Sequence, residues 1–406
     1  MAPSALQCFL LLLTLTAAAA STIVEPAWER EMAYIRDWVE SKFSDRLHAF
    51  KDELSASRLE AFASELGVSS PQATEVGVGA AEMPETLGKE ALSEKVANLI
   101  FVDQPIGTGF SYSHDPRDIV HTEKGVSEDM YDFLLAFYAA HPEYQDHDLF
   151  ITGESYAGHF VPAVAAKVHA MNKAKQGPHL NLKGIAIGNG LTQPDIQYGA
   201  YANYAYQNQL IAKTTYEALR VKYPVCATAI HACGTNGSVS CVAAFYICQT
   251  IVDPILAEAN NMNIYDIRKK CDFGPPLPEI QTAMLADIMR SLEPKIPALL
   301  EDGIRFLNFA GEDDFICNWI GNSRWMAAME WSGQEAYNKA PWVNFTVDRE
   351  FASNFTGTDL LGFLKVKDAG HMVAMDQPRN ALEMMRRFLR GERMGSGRAN
   401  FLDHVV

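Results

Sequence analysis

The sequence predicts an α/β fold with a mostly parallel central sheet and helices on both faces. Three apolar runs are predicted to be buried strands, at residues 97–105 (ANLIFVDQP), 148–155 (DLFITGES) and 182–190 (LKGIAIGNG). Amphipathic helices are predicted between them, at 126–142 (VSEDMYDFLLAFYAAHP) and 157–173 (AGHFVPAVAAKVHAMNK). Strands that alternate with helices lie parallel, because each helix carries the chain back to the same end of the sheet.

This alternation is interrupted once and then returns. Residues 197 to about 275 are helical in pattern and rich in cysteine, which predicts an insertion stapled by disulfides. After it, a helix is predicted at 296–303 (IPALLEDG), followed by strands within 304–315 (IRFLNFAGEDDF) and 363–372 (FLKVKDAGHM). Residues 378–391 (PRNALEMMRRFLRG) close the pattern as a helix.

Composition and charge limit the class of protein. The chain has 406 residues, of which 48% are hydrophobic, so it can bury a large core. The 34 Lys and Arg residues against 50 Asp and Glu residues give a net charge of −16. Binding to phosphates requires the opposite charge, so nucleic acid is not expected as a partner.

The N-terminus predicts export. Residues 1–20 resemble a signal peptide, with a short apolar core at 6–16 followed by small residues; a membrane anchor is the alternative. Residues 21–95 are predicted to form a pro-segment or helical N-terminal region ending in a linker. The α/β domain is predicted at 96–395 and a tail at 396–406. We expect the mature protein in the secretory pathway without stable insertion into a membrane.

The cysteines also fit an oxidising compartment. Apart from Cys8 in the predicted signal, four of the seven cysteines follow a C-x6-C-x7-C-x6-C pattern. Nested disulfides, Cys226–Cys248 around Cys233–Cys241, are favoured among three possible connectivities. Zinc is the alternative, but its ligands usually come as C-x2-4-C pairs, so no metal is expected.

Three sequons predict glycosylation if the chain is exported. They begin at Asn236, Asn344 and Asn354. No H-E-x-x-H motif or complete dinucleotide loop occurs, so we expect no cofactor. Whether the chain forms a homodimer stays open.

A serine lies at a predicted strand-to-helix turn. Ser155 stands in G-x-S-x-A-G, where small residues permit the tight turn that lifts a nucleophilic serine above a sheet. Gly153 lies two residues before the serine, and Gly158 comes one place later than in the strict G-x-S-x-G pattern. The pentapeptide is common by chance, but the strand before it and the helix after it favour a nucleophile.

An activated serine needs a base and a group that orients the base. Glu312, Asp313 and Asp314 directly follow one predicted strand, and His371 follows the last one. The acid and the histidine therefore come after Ser155 in the order serine, acid, histidine, each at a strand end. An acidic turn or a loop histidine is usually without function, but their joint arrangement is less common.

Five segments together make the chain resemble the serine carboxypeptidase family, and most closely its plant or fungal branch. They are FVDQPIGTGFSY, FITGESYAGHFVPAVA, GIAIGNGLTQP, AGEDDFICNWIGN and AGHMVAMDQP, and the likeness covers most of residues 95–395. The resemblance implies an α/β-hydrolase fold. It also implies a hydrolase that releases C-terminal residues from peptides or proteins at acidic pH, in vacuoles, lysosomes or outside cells.

The resemblance also implies roles for single residues. Ser155 is expected to be the nucleophile, His371 the general acid and base, and Asp314 its orienting partner. The Tyr156 N–H is expected to supply half of the oxyanion hole. Glu154 is expected to share a proton with the terminal carboxylate of the substrate, which would explain an acidic optimum.

Three more residues are placed at the substrate pocket by the resemblance alone. Cys317 matches a free thiol, Met372 a wall of a side pocket, and Tyr265 a residue contributed by the insertion. Cys271 has no partner in this chain, although the family has one a few residues further on.

The chain departs from the family in two places. It lacks the W-L-N-G-G-P-G-C-S-S block that precedes the family's F-V-D-Q-P strand, and a later segment near 271–285 is shorter. The missing block carries an Asn that helps hold the substrate carboxylate and a Gly N–H of the oxyanion hole. A weakened hydrolase, a binding protein without catalysis, and an incomplete gene model or splice form all fit, and the last is favoured. A carboxypeptidase-like acyltransferase is the alternative activity.

Overall fold

The computed structural model describes residues 96–234, 237–260, 262–270 and 284–395. The predicted signal peptide, the predicted N-terminal region and the predicted tail lie outside these ranges, as do Asn236 and Cys271. Predictions for those parts of the chain stay predictions.

A six-stranded sheet organises the described residues, in the order β1-β2-β5-β8-β7-β6. Its strands are β1 (Leu149–Glu154), β2 (Leu182–Gly188), β5 (Arg305–Gly311), β6 (Val343–Val347), β7 (Glu350–Gly357) and β8 (Leu361–Val366). The first four strands in the spatial order are parallel. β7 pairs antiparallel with β8, and β6 pairs antiparallel with β7. The α/β class predicted from the sequence is confirmed.

Helices cover both faces of this sheet. The helices outside the insertion are α1 (Glu123–Ala140), α2 (Ala157–Ala174), α7 (Pro297–Glu301), α8 (Trp319–Ala328), α9 (Gln334–Lys339), α10 (Val373–Asp376) and α11 (Pro378–Arg390). Single turns of 3-10 helix occur at Pro116–Asp118, Pro142–Tyr144 and Glu293–Lys295.

The core has two layers because strand side chains alternate between faces. Ile185 and Ile187 of β2 join the cluster that contains residues of α1, α2 and α8. Ala186, between them, joins the cluster that contains residues of α11. The period of two along a strand therefore fills both layers from the same apolar run.

The insertion forms a helical layer and a small hairpin. Its elements are α3 (Pro194–Tyr198), α4 (Tyr201–Gln207), α5 (Lys213–Cys233), α6 (Val239–Glu258), β3 (Met262–Asn263) and β4 (Asp266–Lys270). Disulfides Cys226–Cys248 and Cys233–Cys241 join α5 to α6, which are the pairs that the spacing favours. By length and composition α6 could cross a membrane, but 44% of that apolar window is buried against the rest of the chain.

One strand prediction is wrong. Residues 97–105 are not in a strand, and Leu99, Ile100 and Phe101 are 44%, 42% and 50% exposed. Among the described residues, β1 pairs only with β2, so no described strand lies along its other edge. A strand needs a neighbour for its backbone hydrogen bonds and for the burial of its side chains, and no described strand pairs with residues 97–105.

Candidate active site

The turn at Ser155 has the geometry of a nucleophile elbow. Ser155 joins β1 to α2 with φ of 63°, a left-handed conformation that non-glycine residues rarely adopt. Its N–H donates to the Gly188 carbonyl at 3.0 Å, and its own carbonyl accepts from Leu191 N at 3.1 Å. The loop after β2 therefore holds the backbone of Ser155 in this strained conformation.

Close packing explains both glycines around the serine. A Cβ at Gly153 would overlap the side chain of Ala157, and a Cβ at Gly158 would overlap the backbone of Leu191. The second glycine therefore stands where α2 crosses the loop after β2. This contact, rather than the turn alone, accounts for a glycine one place later than in the strict motif.

The predicted acid and base meet in the protein interior. His371 Nδ1 lies 2.9 Å from Asp314 Oδ2, and the two residues are 4% and 0% exposed. Burial by itself would lower the pKa of His371, but the charge of Asp314 and the hydrogen bond to it outweigh burial and raise that pKa. The protonated imidazole is therefore stabilised where it would form during catalysis.

Asn189 orients the acid, and the sequence reasoning missed it. Its Nδ2 donates to Asp314 Oδ2 at 2.6 Å, and its Oδ1 accepts from Gly311 N at 3.2 Å. Ile316 N donates to the other carboxylate oxygen at 3.1 Å. The available signal was an asparagine between two glycines at a strand end, a context that favours its left-handed φ of 44°.

The second nitrogen of the imidazole is buried and has no partner among the described residues. His371 Nε2 is buried and has no hydrogen-bond partner among the described residues, so the structure contains no bond from Ser155 Oγ to it. Such contacts are often long in enzymes without substrate and shorten when the complex forms. The ring of Tyr265 lies 5.0 Å from that of His371 and covers one side of it.

Two groups of interest lie next to the serine in the chain. The N–H of Tyr156 has no hydrogen-bond acceptor in the described part of the chain and lies at the start of α2, where an oxyanion donor belongs. Glu154 ends β1, and burial, with smaller contributions from Asp314 and Asp376, raises the pKa of Glu154 to about 7. Its carboxyl group is therefore largely protonated at acidic pH.

The structure brings the three predicted pocket residues to this place as well. Cys317 is a buried free thiol, and its sulfur, a carboxylate oxygen of Asp314 and a ring nitrogen of His371 lie within 4.8 Å of one another. Asp314 accepts three hydrogen bonds, two of them at Oδ2, from Asn189 and His371, and one at Oδ1, from Ile316 N. Tyr265 and Met372 are 46% and 47% exposed; Tyr265 lies against the His371 ring and Met372 follows His371 in the chain, and their role at a substrate pocket stays a prediction.

The two described sequons lie together at the far side of the sheet. Asn344 of β6 and Asn354 of β7 are directly opposite each other in the register of these strands. Asn344 is exposed and Asn354 is half-buried. The predicted catalytic residues follow β1, β5 and β8, so neither sequon lies in a strand that leads to the predicted site.

A strained serine turn and a buried Asp–His pair at the carboxyl ends of parallel strands define the α/β-hydrolase fold class. The family model described as serine carboxypeptidase matches residues 56–278 and 277–391. This chain belongs to the serine carboxypeptidase family.

Individual relatives agree with the family assignment. The chain is 50% identical over 328 residues to serine carboxypeptidase 3 of Hordeum vulgare, which covers 74% of this chain and 65% of the relative. It is 48% identical over 325 residues to serine carboxypeptidase-like 49 of Arabidopsis thaliana, covering 73% of this chain and 63% of the relative. The aligned part thus spans slightly less than two thirds of these relatives.

A solved structure supports the fold. A prohormone-processing carboxypeptidase from Saccharomyces cerevisiae superposes with a TM-score of 0.62 at 22% identity, over 71% of this chain and 72% of that one. At this identity the likeness concerns the fold alone.

Proposed function

We propose that this chain carries the catalytic residues of a serine-type carboxypeptidase, which releases C-terminal residues from peptides at acidic pH. The observation that carries the proposal is the buried pair of Asp314 and His371 beside the strained turn at Ser155. The proposal includes a secretory-pathway location, either vacuolar, lysosomal or extracellular, and glycosylation at the sequons.

The proposed reaction begins with proton transfer from the Ser155 hydroxyl to His371 Nε2. The serine oxygen then attacks the carbonyl carbon of the last peptide bond, and the oxyanion accepts a hydrogen bond from Tyr156 N–H. His371 returns the proton to the departing amino group, which leaves as the free C-terminal amino acid. Water, activated by the same imidazole, hydrolyses the acyl-enzyme, and Asp314 stabilises the imidazolium in both steps.

Glu154 is proposed to recognise the substrate's terminal carboxylate. A protonated carboxyl group can donate a hydrogen bond to a carboxylate, whereas two ionised carboxylates at that distance repel each other. Because the pKa of Glu154 is raised to about 7, the donor is present at acidic pH and is lost as the pH rises through that value. This supports an acidic optimum.

The oxyanion hole is proposed to be half built. The sequence lacks the block that supplies the second donor in the family, and loss of one such donor costs about 10²–10³ in rate. The exposed apolar side chains at residues 99–101 favour a second candidate, a chain that keeps the fold without catalysis. The two candidates differ in whether Ser155 reacts as a nucleophile.

A fluorophosphonate probe separates these candidates. We expect slow labelling of the purified, folded wild-type chain and none of Ser155→Ala, because the probe reacts with an activated serine. Absence of labelling in folded wild-type protein would contradict the active-enzyme proposal.

Two substrates then separate the reaction types. We expect hydrolysis of a blocked dipeptide with a free C-terminal carboxylate. Activity on a glucose ester with an alcohol acceptor, without activity on the dipeptide, would favour an acyltransferase and exclude the peptidase.

The recognition role of Glu154 has its own test. With the blocked dipeptide, we expect KM to rise between pH 5 and pH 8 in the wild type. Glu154→Gln keeps a hydrogen-bond donor that does not titrate, so the rise should be much smaller in that variant. An equal rise in both proteins would remove Glu154 from substrate recognition.

A further inference from the structure

The hairpin of β3 and β4 lies between the two loops that carry the acid and the histidine. Tyr265 O, in its turn, accepts from His371 N at 2.7 Å. Ile264 O accepts from Phe315 N and from Ile316 N, each at 3.1 Å. The hairpin is therefore a structural support for both loops, although it belongs to the insertion and contributes neither Asp314 nor His371.

One side chain of this hairpin joins both loops electrostatically. The guanidinium of Arg268 in β4 contacts three carboxylates. Its Nη2 lies 2.7 Å from Asp266 Oδ2, its Nη1 lies 3.3 Å from Asp313 Oδ2, and its Nη2 lies 3.3 Å from Asp376 Oδ2. Asp266 is 4% exposed, so this cluster is largely shielded from solvent on one side.

Two of these carboxylates are adjacent to the proposed catalytic pair. Asp313 directly precedes Asp314 in the chain. Asp376, at the end of α10, accepts from the N–H of Gly370 at 2.7 Å, and Gly370 directly precedes His371. Arg268 thus connects the loop of the acid with the loop of the base through one rigid group.

We propose that Arg268 is a positioning residue, which sets the distance and angle between Asp314 and His371 by holding Asp313 and Asp376 together. The inference rests on the proposed function of these two residues but concerns a residue that touches neither substrate nor reacting atoms. Its planar fork suits the task, because its separate N–H groups can bond several carboxylates in fixed directions.

The neighbouring cation cannot replace it. Lys269 Nζ reaches Asp266 at 2.9 Å and Asp376 at 3.5 Å, but no contact joins it to Asp313. Its side chain is 58% exposed, against 37% for Arg268. Lys269 therefore neutralises part of the cluster without joining the two loops.

Gly370 shows how little freedom the histidine loop has at this contact. A Cβ at this position would meet the Tyr265 carbonyl and the side chain of Asp266. The loop can approach the hairpin this closely only with a glycine. Loss of the ionic link should therefore let the loop move away from the hairpin, carrying the His371 ring with it.

The experiment compares Arg268→Gln with Arg268→Lys and with a control, Lys270→Gln. Lys270 lies on the same strand, but the one described contact of its Nζ is with the Asn260 carbonyl, at 3.3 Å. The first readout is the downfield proton NMR signal of His371 Nδ1–H, assigned by its loss in Asp314→Asn. This signal reports the Asp–His hydrogen bond and does not require catalysis. The second readout is the rate of fluorophosphonate labelling.

We expect Arg268→Gln to shift or broaden the downfield signal and to slow labelling by about 10–100-fold, as misplacement of a catalytic group does. Arg268→Lys should restore part of both, and Lys270→Gln should match the wild type. A folded Arg268→Gln with an unchanged signal and an unchanged labelling rate would overturn the proposal, as would an equal effect of Lys270→Gln.

Two further outcomes stay informative. If the wild type does not label, the proposed function fails, but the NMR comparison still tests whether Arg268 positions Asp314 and His371. If the wild type lacks the downfield signal, the proposed function and the role of Arg268 are both overturned. If Arg268→Gln does not fold, Asp376→Asn replaces it, because it weakens the contacts of Asp376 with Arg268, Lys269 and Gly370 and leaves the contact of Arg268 with Asp313 unchanged. We expect Asp376→Asn to perturb the same signal, and an unperturbed signal would overturn the proposal.

Discussion

The two sides of the candidate site differ in how completely they are built. On the acid and histidine side, Asp314 and His371 are buried, and Asp314 accepts hydrogen bonds from Asn189, Ile316 and His371. On the outer side of β1, residues 97–105 form no strand, and their apolar side chains are exposed.

The two sides depend on different parts of the chain. Asp314 and His371 follow β5 and β8, strands that keep both neighbours in the sheet. On the outer side of β1 no described strand pairs with it, and the sequence lacks the W-L-N-G-G-P-G-C-S-S block of the family. The acid and histidine side does not depend on that part of the chain.

The largest effect is expected from a change at Asp314, on the acid and histidine side of the site. Asp314→Asn would leave His371 Nδ1 without its charged partner and favour the wrong tautomer. We expect the labelling rate to fall by about 10⁴-fold, as in other serine triads. Glu312→Gln makes the same change from carboxylate to amide in the same segment, at a side chain that pairs with Lys365 at 3.3 Å, and tests whether any such change in this loop has that effect. Equal losses in both variants would contradict a specific role of Asp314.

A matched pair of phenylalanines tests the structural side of the comparison. Phe306 of β5 is 1% exposed, whereas Phe101 is 50% exposed. Phe306→Ala should lower the free energy of unfolding by about 3–5 kcal/mol, because it leaves a cavity. Phe101→Ala should change it by no more than about 0.5 kcal/mol. Urea unfolding of both variants measures this, and a large loss for Phe101→Ala would mean that residues 97–105 are packed in solution.

A smaller effect on the labelling rate is expected from changes at Asn189, which also lies on the acid and histidine side. Asn189→Ala removes the amide that donates to Asp314 Oδ2 and the acceptor for Gly311 N. We expect labelling to slow by about 10–100-fold, because groups that orient a catalytic ligand have effects of this size. Asn189→Asp keeps the acceptor but places a second charge at Asp314, so it should be at least as impaired. A fully active Asn189→Ala would show that the backbone alone orients the acid.

The smallest effect concerns the pH dependence of stability that arises from Glu123, the first residue of α1. Burial, and then the nearby charge of Asp287, raise the pKa of Glu123 well above its usual value. The folded chain therefore holds a proton that the unfolded chain releases, so stability is present below the unfolded pKa and falls as pH rises above it. The slope is about 1.4 kcal/mol per pH unit while Glu123 stays protonated.

Thermal unfolding at several pH values measures this slope. Glu123→Gln should flatten it between pH 5 and pH 7, whereas Glu128→Gln, an exposed position on the same helix, should leave it unchanged. An unchanged slope in Glu123→Gln would assign the pH dependence to other groups, such as Glu154, whose pKa is also raised.

Much of the fold could be predicted because long apolar runs specify buried parallel strands and the helices between them. The runs that became β1, β2, β5 and β8 are continuous in hydrophobic residues, since helices cover both faces. β6 and β7 were not predicted. Their strands mix asparagine and threonine with apolar residues, and their turn uses Asp348 and Arg349 at positive φ, so it carries no glycine signal.

The amino-acid sequence was sufficient to predict the order of Ser155, Asp314 and His371 at three strand ends and to favour nested cysteine pairs. These features can be predicted because each is defined by residues that are close together in the sequence, such as a turn motif or an apolar run. Only the folded structure shows that Asn189 contacts Asp314 and that Arg268 contacts Asp313. It also shows that residues 97–105 are not a strand. These features depend on neighbours far away in the chain, because a strand exists only when another backbone completes its hydrogen bonds.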